Sequence, residues 1–342
     1  MDSFGSVDRS RRGRVGGTGP AQTMAVRSAA FALLATAALV LTGCHPRAAP
    51  DEPVLKIASQ KGGTKSLMLA SHALDGAPYK VAWSEFPSAQ ALLEALSADA
   101  VDAGAVGDAP FMFAYATGAK IKGVQATRAS GGGASTAILV RENSPIHSAA
   151  DLKGKRIATG RGSVGHYLLL RVLETAGLTP KDVTVVFLNP GDAKAAFNSG
   201  TVDAWATWGP YVGLAQLHDH TRIVADGRGL MHGIGFEAAN DNAIAAKRAE
   251  LADFLSRLAK AERWEGSHKA EYAAVLAKET GLPADVALYT VSTVRGVATP
   301  IDKSILDEEQ DTLRHYVRAG VIASPPDLTA AFDPSFNSAA AP

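Results

Sequence analysis

The sequence predicts an α/β protein of two similar lobes with a ligand cleft between them. Three observations carry that expectation. Short apolar strands alternate with helical stretches over 54–127, joined by brief loops. The same order of strand, Gly-bearing turn, helix, strand, helix and strand returns over 151–208. Three strand-to-helix turns share one make-up: Ser59-Gln60-Lys61-Gly62-Gly63-Thr64, Ala105-Val106-Gly107-Asp108-Ala109-Pro110-Phe111 and Thr159-Gly160-Arg161-Gly162-Ser163-Val164-Gly165. Each leaves backbone N–H groups unpaired at the carboxyl end of a strand, which is a seat for an anion. One such turn is an ordinary βα connection. Three together predict a cleft where they meet.

Taken in order, 54–58 is a short apolar strand running into Gln60-Lys61-Gly62-Gly63, and 66–72 has helical spacing. Residues 79–86 alternate and read as a second strand. Ser88 is placed to cap a helix with the apolar stripe Ala91, Leu92, Ala95 and Leu96. Residues 100–106 form a third strand. Asp108 then stands at the N-cap position, and Pro110 sits just inside the next helix, where its missing N–H costs least. Residues 121–127 make a fourth strand, so a mostly parallel sheet is expected. A flexible break at 130–134 leads to a strand at 137–140. In the second unit a helix over 166–176 is stopped by Gly177, and strands at 183–188 and 203–208 flank a helix at 193–198. Asp102-Ala103-Gly104-Ala105 and Asp203-Ala204-Trp205-Ala206 occupy matching places. From Gly233 the chain changes character. Residues 241–280 are rich in Ala, Lys and Glu, with the stripe Leu251, Phe254, Leu255 and Leu258, and 283–294 and 305–319 are helical. This helical tail is expected to return to the first lobe.

The 342 residues suffice for two ordinary domains, and the formal charge is zero. Nothing in that balance draws nucleic acid, because the Arg cluster at 9–14 is confined to an N-terminal stretch. Residues 24–44 have the three parts of a secretory signal: a short positive start at Met24, an apolar run over 29–41, and Leu41-Thr42-Gly43-Cys44. That last tetrapeptide resembles the bacterial lipobox, whose Cys is lipidated and becomes the first mature residue. The other reading of Cys44 is a free thiol. As the only Cys, it excludes an internal disulfide and a Cys metal cluster. Residues 1–44 are therefore read as an extension plus signal peptide, with 1–23 lying upstream of the natural start. Residues 45–52 are a tether.

The Gly-rich turns lack Walker and dinucleotide spacing. Arg161 stands where a hydrolase elbow needs Gly. Ser163 and His166 form a conceivable pair, but nothing nearby in sequence orients the His, so no catalytic residue is assigned. No metal site is assigned either: H-E-x-x-H is missing, and His218 and His220 read as loop residues. What remains is an anion site of helix N-termini and neutral donors, with Gln60 and Ser163 adding side-chain donors. Trp205 either faces the cleft over an apolar tail or packs in the core, and Trp208 reads as core.

Gln60-Lys61-Gly62-Gly63, Trp83-Ser84-Glu85-Phe86-Pro87, Gly107-Asp108-Ala109-Pro110, Gly162-Ser163 with His166-Tyr167-Leu168-Leu169, and Asp203 through Tyr211 occur in family order. Together they resemble the aliphatic sulfonate-binding proteins of ABC importers, in a superfamily that also holds taurine-, nitrate- and thiamine-precursor-binding relatives. The resemblance covers roughly 53–320. It implies a type II periplasmic-binding-protein fold, with lobe one at 53–136 plus 235–342 and lobe two at 137–234. It also implies a cleft lined by Gln60, Asp108, Ala109, Gly162, Ser163 and Trp205. The expected ligand is a small organic anion, a sulfonate, and the expected partner an ABC permease. No cofactor is implied, and a lipid-anchored monomer on the periplasmic or extracytoplasmic face is expected. Asp108 is expected to act through its backbone and cap, since its carboxylate would repel a sulfonate. Two departures bear on the ligand: Gly209 follows the second Trp where the family pattern has Asp, and Arg161 stands where relatives often have Lys or Gln. Glu85, were it to reach the cleft, would favour a ligand that also bears an amine. The alternatives are the same receptor for taurine, nitrate or a pyrimidine, a non-transport sensor, or an enzyme on the same fold.

Overall fold

The computed structural model describes residues 52–61 and 63–340. The expectations for the extension, the signal peptide, Cys44 and all of the tether but Glu52 lie outside those residues, as does Gly62.

The chain runs β1 (Val54–Gln60), α1 (Thr64–Ala70), β2 (Lys80–Phe86), α2 (Ala89–Ser97), β3 (Ala103–Gly107), α3 (Asp108–Ala116) and β4 (Lys122–Ala129). It continues through β5 (Gly133–Arg141), β6 (Arg156–Thr159), α4 (Val164–Thr175), β7 (Thr184–Phe187), α5 (Pro190–Asn198), β8 (Ala204–Trp208), α6 (Pro210–His218) and β9 (Thr221–Gly227). The last part holds β10 (Ile234–Ala239), α7 (Asp241–Ala246), α8 (Arg248–Glu265), α9 (Lys269–Thr280), α10 (Ala284–Thr293), β11 (Gly296–Thr299) and α11 (Lys303–Arg318).

Two sheets result, each the centre of one lobe. The first has the order β11-β4-β10-β3-β1-β2 and the second β7-β6-β8-β5-β9. The mostly parallel sheet expected for the first lobe is not what forms. β1 is parallel to β2 and β3, but β10 enters between β3 and β4 and is antiparallel to both. The second sheet is mixed in the same way, with β6 parallel to β7 and β8, and β5 antiparallel to β8 and β9. A segment that returns from more than a hundred residues away leaves no local trace of its partner. That is why β10 was missed.

Local signals fared better. Ser88 caps α2, its hydroxyl accepting from Ala91 N–H, and Leu92, Leu93 and Leu96 are buried. On α8, Leu251, Phe254, Leu255 and Leu258 all turn into one apolar cluster that also holds Leu55 and Ile57 of β1 and Leu276 of α9. Burying side chains of this size stabilises by roughly 1.5–3 kcal/mol each. Gly177, at φ +67°, follows the end of α4 in the left-handed conformation that ends helices.

The chain crosses between the sheets twice, after β4 and after β9. The crossings touch through glycine: a Cβ on Gly133 would fall 2.8 Å from Gly227 Cα, and one on Gly233 would fall 2.6 Å from Gly132 Cα. The C-terminal helices also reach the second lobe. α10 packs on α6, where Tyr289 covers Gly213, and α11 meets α4 through Tyr316 and Tyr167, ring centroids 5.3 Å apart.

Candidate functional site

A cavity of about 420 Å³ lies between the lobes, at the carboxyl ends of β1, β3 and β8. Ligands of open α/β sheets occupy this position, because the helices that follow such strands point their N-termini into the crevice. Gly63 precedes α1, Gly107 and Asp108 open α3, and Ser163 and Val164 open α4; all five residues line the wall. The three Gly-bearing turns therefore meet at one cavity. Two further helix starts join them, Ala89 of α2 and Gly209 before α6.

The six residues expected to line the cleft divide. Gln60 ends β1 and lines the cavity, its Nε2 donating to Ala105 O at 2.9 Å. Asp108 lines it as the first helical residue; Gly107 is the N-cap. Its Oδ1 accepts from Ala109 N–H at 2.6 Å, and its buried Oδ2 has no partner. Ser163 also lines it, but its hydroxyl is engaged in capping α4, accepting from His166 N–H at 3.1 Å and donating to Gly160 O at 2.7 Å.

The other three stand away from the cavity wall. Ala109 is fully buried in the first turn of α3, where its carbonyl accepts from the Tyr316 hydroxyl. Gly162, at φ +68°, abuts Phe113 of the first lobe and lines an outer groove with Arg161. Trp205 is 1 % exposed and packs between Phe197 and Tyr211. Trp208 lines the cavity instead. The reason is strand parity. Trp205 lies opposite Leu139 and points with it into the core under α5 and α6, whereas Trp208, three residues on, takes the other face at the strand end. Thr127, Ser135 and Thr136 also line the cavity, and sequence reasoning missed them. Each is a hydroxyl on a strand flanking a crossing, a signal readable only once the crossings are located.

No Lys or Arg is among the described residues that line the cavity. Helix N-termini and neutral donors face it instead, with the Asp108 carboxyl beside them. Arg161 lays its guanidinium over the Phe187 ring, 3.9 Å from the centroid. Glu85 is ion-paired with Lys65 at 2.9 Å. Burial raises the Asp108 carboxyl to about 6. Glu309 of α11, fully buried with neither oxygen partnered, is pushed well above the carboxylate range by burial and by Asp108. The Ser163–His166 pair is not a proton relay: the imidazole Nδ1 accepts from Gly162 N–H, and burial with Arg161 lowers its pKa to about 4. No helix among the described residues is long and apolar enough to cross a membrane.

Residues 80–264 match the family described as NMT1/THI5 like. The chain is 37% identical over 286 residues to an aliphatic sulfonates-binding protein of Escherichia coli (strain K12), covering 82% of this chain and 88% of that one. It is 30% identical over 258 residues to a protein of the same description from Bacillus subtilis (strain 168), covering 75% and 77%. The alkanesulfonate-binding protein SsuA from Xanthomonas axonopodis pv. citri, bound to MOPS, superposes with a TM-score of 0.76 at 33% identity, over 83% of this chain and 99% of that chain. With two mixed sheets joined by two crossings and helix N-termini gathered at the cleft, the chain has the periplasmic-binding-protein fold and belongs to the NMT1/THI5-like family, alongside these sulfonate-binding relatives.

Proposed function

We propose that this protein is the substrate-binding component of an ABC importer and captures an aliphatic sulfonate between its lobes. The observation that carries the reading is a cleft faced by several helix N-termini with no cationic side chain among the described residues of its wall. Such a site suits a singly charged oxyanion that must be released again, because no full counter-charge holds it. Relatives named as sulfonate-binding proteins at 30% identity and above support the ligand class.

In this reading lobe one is 53–136 with 235–342, lobe two is 137–234, and closure turns on the two glycine crossings. Gln60, the α3 start at Asp108, and the α4 start at Ser163 hold the sulfonate, and Trp208 covers the alkyl tail. The protein performs no chemistry on its ligand. A signal peptide exports it, and lipid on Cys44 tethers it as a monomer to the outer face of the membrane beside the permease.

The test is a thermal melt against alkanesulfonates of increasing length, a buffer-type sulfonate, taurine, sulfate, nitrate and a pyrimidine. A ligand at a hundred times its Kd adds about 2.7 kcal/mol of stability, which moves the midpoint visibly. Shifts with alkanesulfonates support the reading. Shifts with only taurine, nitrate or the pyrimidine move the ligand to a sister class, and turnover of any of them overturns it.

A further inference from the structure

The apolar part of the cavity wall divides by stiffness. Val106, Val164, Ile234 and Val294 are β-branched and restricted at χ1, and Pro110 and Trp208 carry rigid rings. Met231 is the one long, unbranched apolar side chain among the described residues of the wall. It is 8 % exposed and belongs to the same apolar cluster as Val106 and Ile234.

The seat of Met231 is the crossing between the lobes. It lies in the turn from β9 to β10, where its N–H donates to Gly227 O at 2.9 Å. Gly227 ends β9 and pairs with Gly133, the first residue of β5. A Cβ on Gly133 would fall 2.8 Å from Met231 Cβ, and one on Gly227 would fall 2.8 Å from its Sδ. The side chain therefore rests against both crossings while it lines the cavity. Its backbone is pinned to Gly227, and the thioether is the movable part.

We propose that Met231 determines which tail lengths the cleft accepts, changing rotamer to make room for a long tail and to cover a short one. This rests on the sulfonate-receptor reading and deepens it. An anion held at the starts of α1, α3 and α4 leaves its tail to run along the rest of the wall, where Gly132, Gly133, Met231 and Gly233 stand. The three glycines offer an apolar tail no side chain, so Met231 supplies the contact there. A thioether on three rotatable bonds fills irregular gaps, which the β-branched neighbours cannot do. Tails of different length then meet neither a void nor a clash, and either would weaken binding.

The test is calorimetry with ethane-, butane-, hexane- and octanesulfonate on the purified protein and on its Met231→Ile and Met231→Ala variants. In the wild type, affinity should rise about threefold with each methylene buried. Met231→Ile sets a stiff, branched side chain on the same seat. It should leave ethanesulfonate within about twofold of wild type and weaken octanesulfonate about tenfold. Met231→Ala withdraws the wall and should raise the octane-to-ethane affinity ratio about tenfold. Melting curves establish that each variant is folded, and either variant decides alone if the other is not. A folded variant that keeps the wild-type dependence on chain length overturns the proposal, as does a shift in the same direction by both. Failure of every sulfonate to bind the wild type overturns the receptor reading instead, so the two failures are distinguishable.

Discussion

Gly107 of the first lobe and Val164 of the second stand in contact: a Cβ on Gly107 would fall 2.7 Å from Val164 Cγ1. Gly107 caps α3 and Val164 opens α4, so two of the helix starts at the cavity meet directly. Gly107 has an extended backbone, φ −71°, which any residue adopts. Its need for Gly is therefore spatial. Gly107→Val should leave the melting midpoint of the free protein nearly unchanged. It should hold the lobes apart and lower sulfonate affinity by about tenfold or more. Small-angle scattering should show that ligand no longer compacts the variant. Wild-type compaction would count against this role.

The two tryptophans of β8 should separate stability from binding. Trp205 is enclosed by Phe197 and Tyr211, so Trp205→Ala should cost roughly 3–5 kcal/mol in urea denaturation. Trp208 lines the cavity, so Trp208→Ala should change stability by less than about 1 kcal/mol, as surface substitutions do. Its effect should instead be weaker binding of longer alkanesulfonates. The reverse pattern would return Trp205 to the binding role that its sequence position suggested.

Ser163 and Gln60 make a second such pair. Ser163→Ala removes the α4 cap and should cost about 1 kcal/mol of stability. Gln60→Ala removes the clasp between β1 and Ala105 O, worth about 1 kcal/mol. If Gln60 also holds the sulfonate, its truncation should weaken binding by about tenfold beyond any loss of stability, read by calorimetry.

Asp108 should make binding depend on pH. Its folded pKa, about 6, lies above the ordinary 3.8, because burial outweighs the Ala109 N–H and the nearby His232, while Glu308 adds to the rise. The folded protein therefore holds a proton that the unfolded chain releases. Stability from this group is complete below 3.8 and is lost as pH rises through about 6. Glu309, buried nearby, is itself pushed well above the ordinary carboxylate range by burial and by Asp108. The ionised carboxylate opposes an anion at the same wall, so sulfonate affinity should rise as pH falls through about 6. Asp108→Asn, whose Oδ1 can still accept from Ala109 N–H, should flatten that dependence. Calorimetry one unit either side of about 6 would decide it, and a wild-type affinity constant across that window would exclude Asp108 from the ligand's field.

What the sequence by itself determined was local and repetitive. The twofold run of strand, turn and helix, the α8 stripe at Leu251, Phe254, Leu255 and Leu258, the Ser88 cap and the three Gly-bearing turns are all set by residues within a few positions of one another. The family motifs are equally local, and they pointed to the right fold. Only the tertiary structure decided where β10 inserts, which tryptophan of β8 meets the cavity, and that Met231 rests on the crossings beside it. Each of these depends on contacts between segments far apart in the chain. Strand pairing uses the same backbone groups in every residue, so the sequence near β10 does not name its neighbours. Which face of β8 is the core depends on where α4, α5 and α6 pack. Met231 looks like any apolar residue of a Gly-bearing turn until Gly133 pairs with Gly227 beside it.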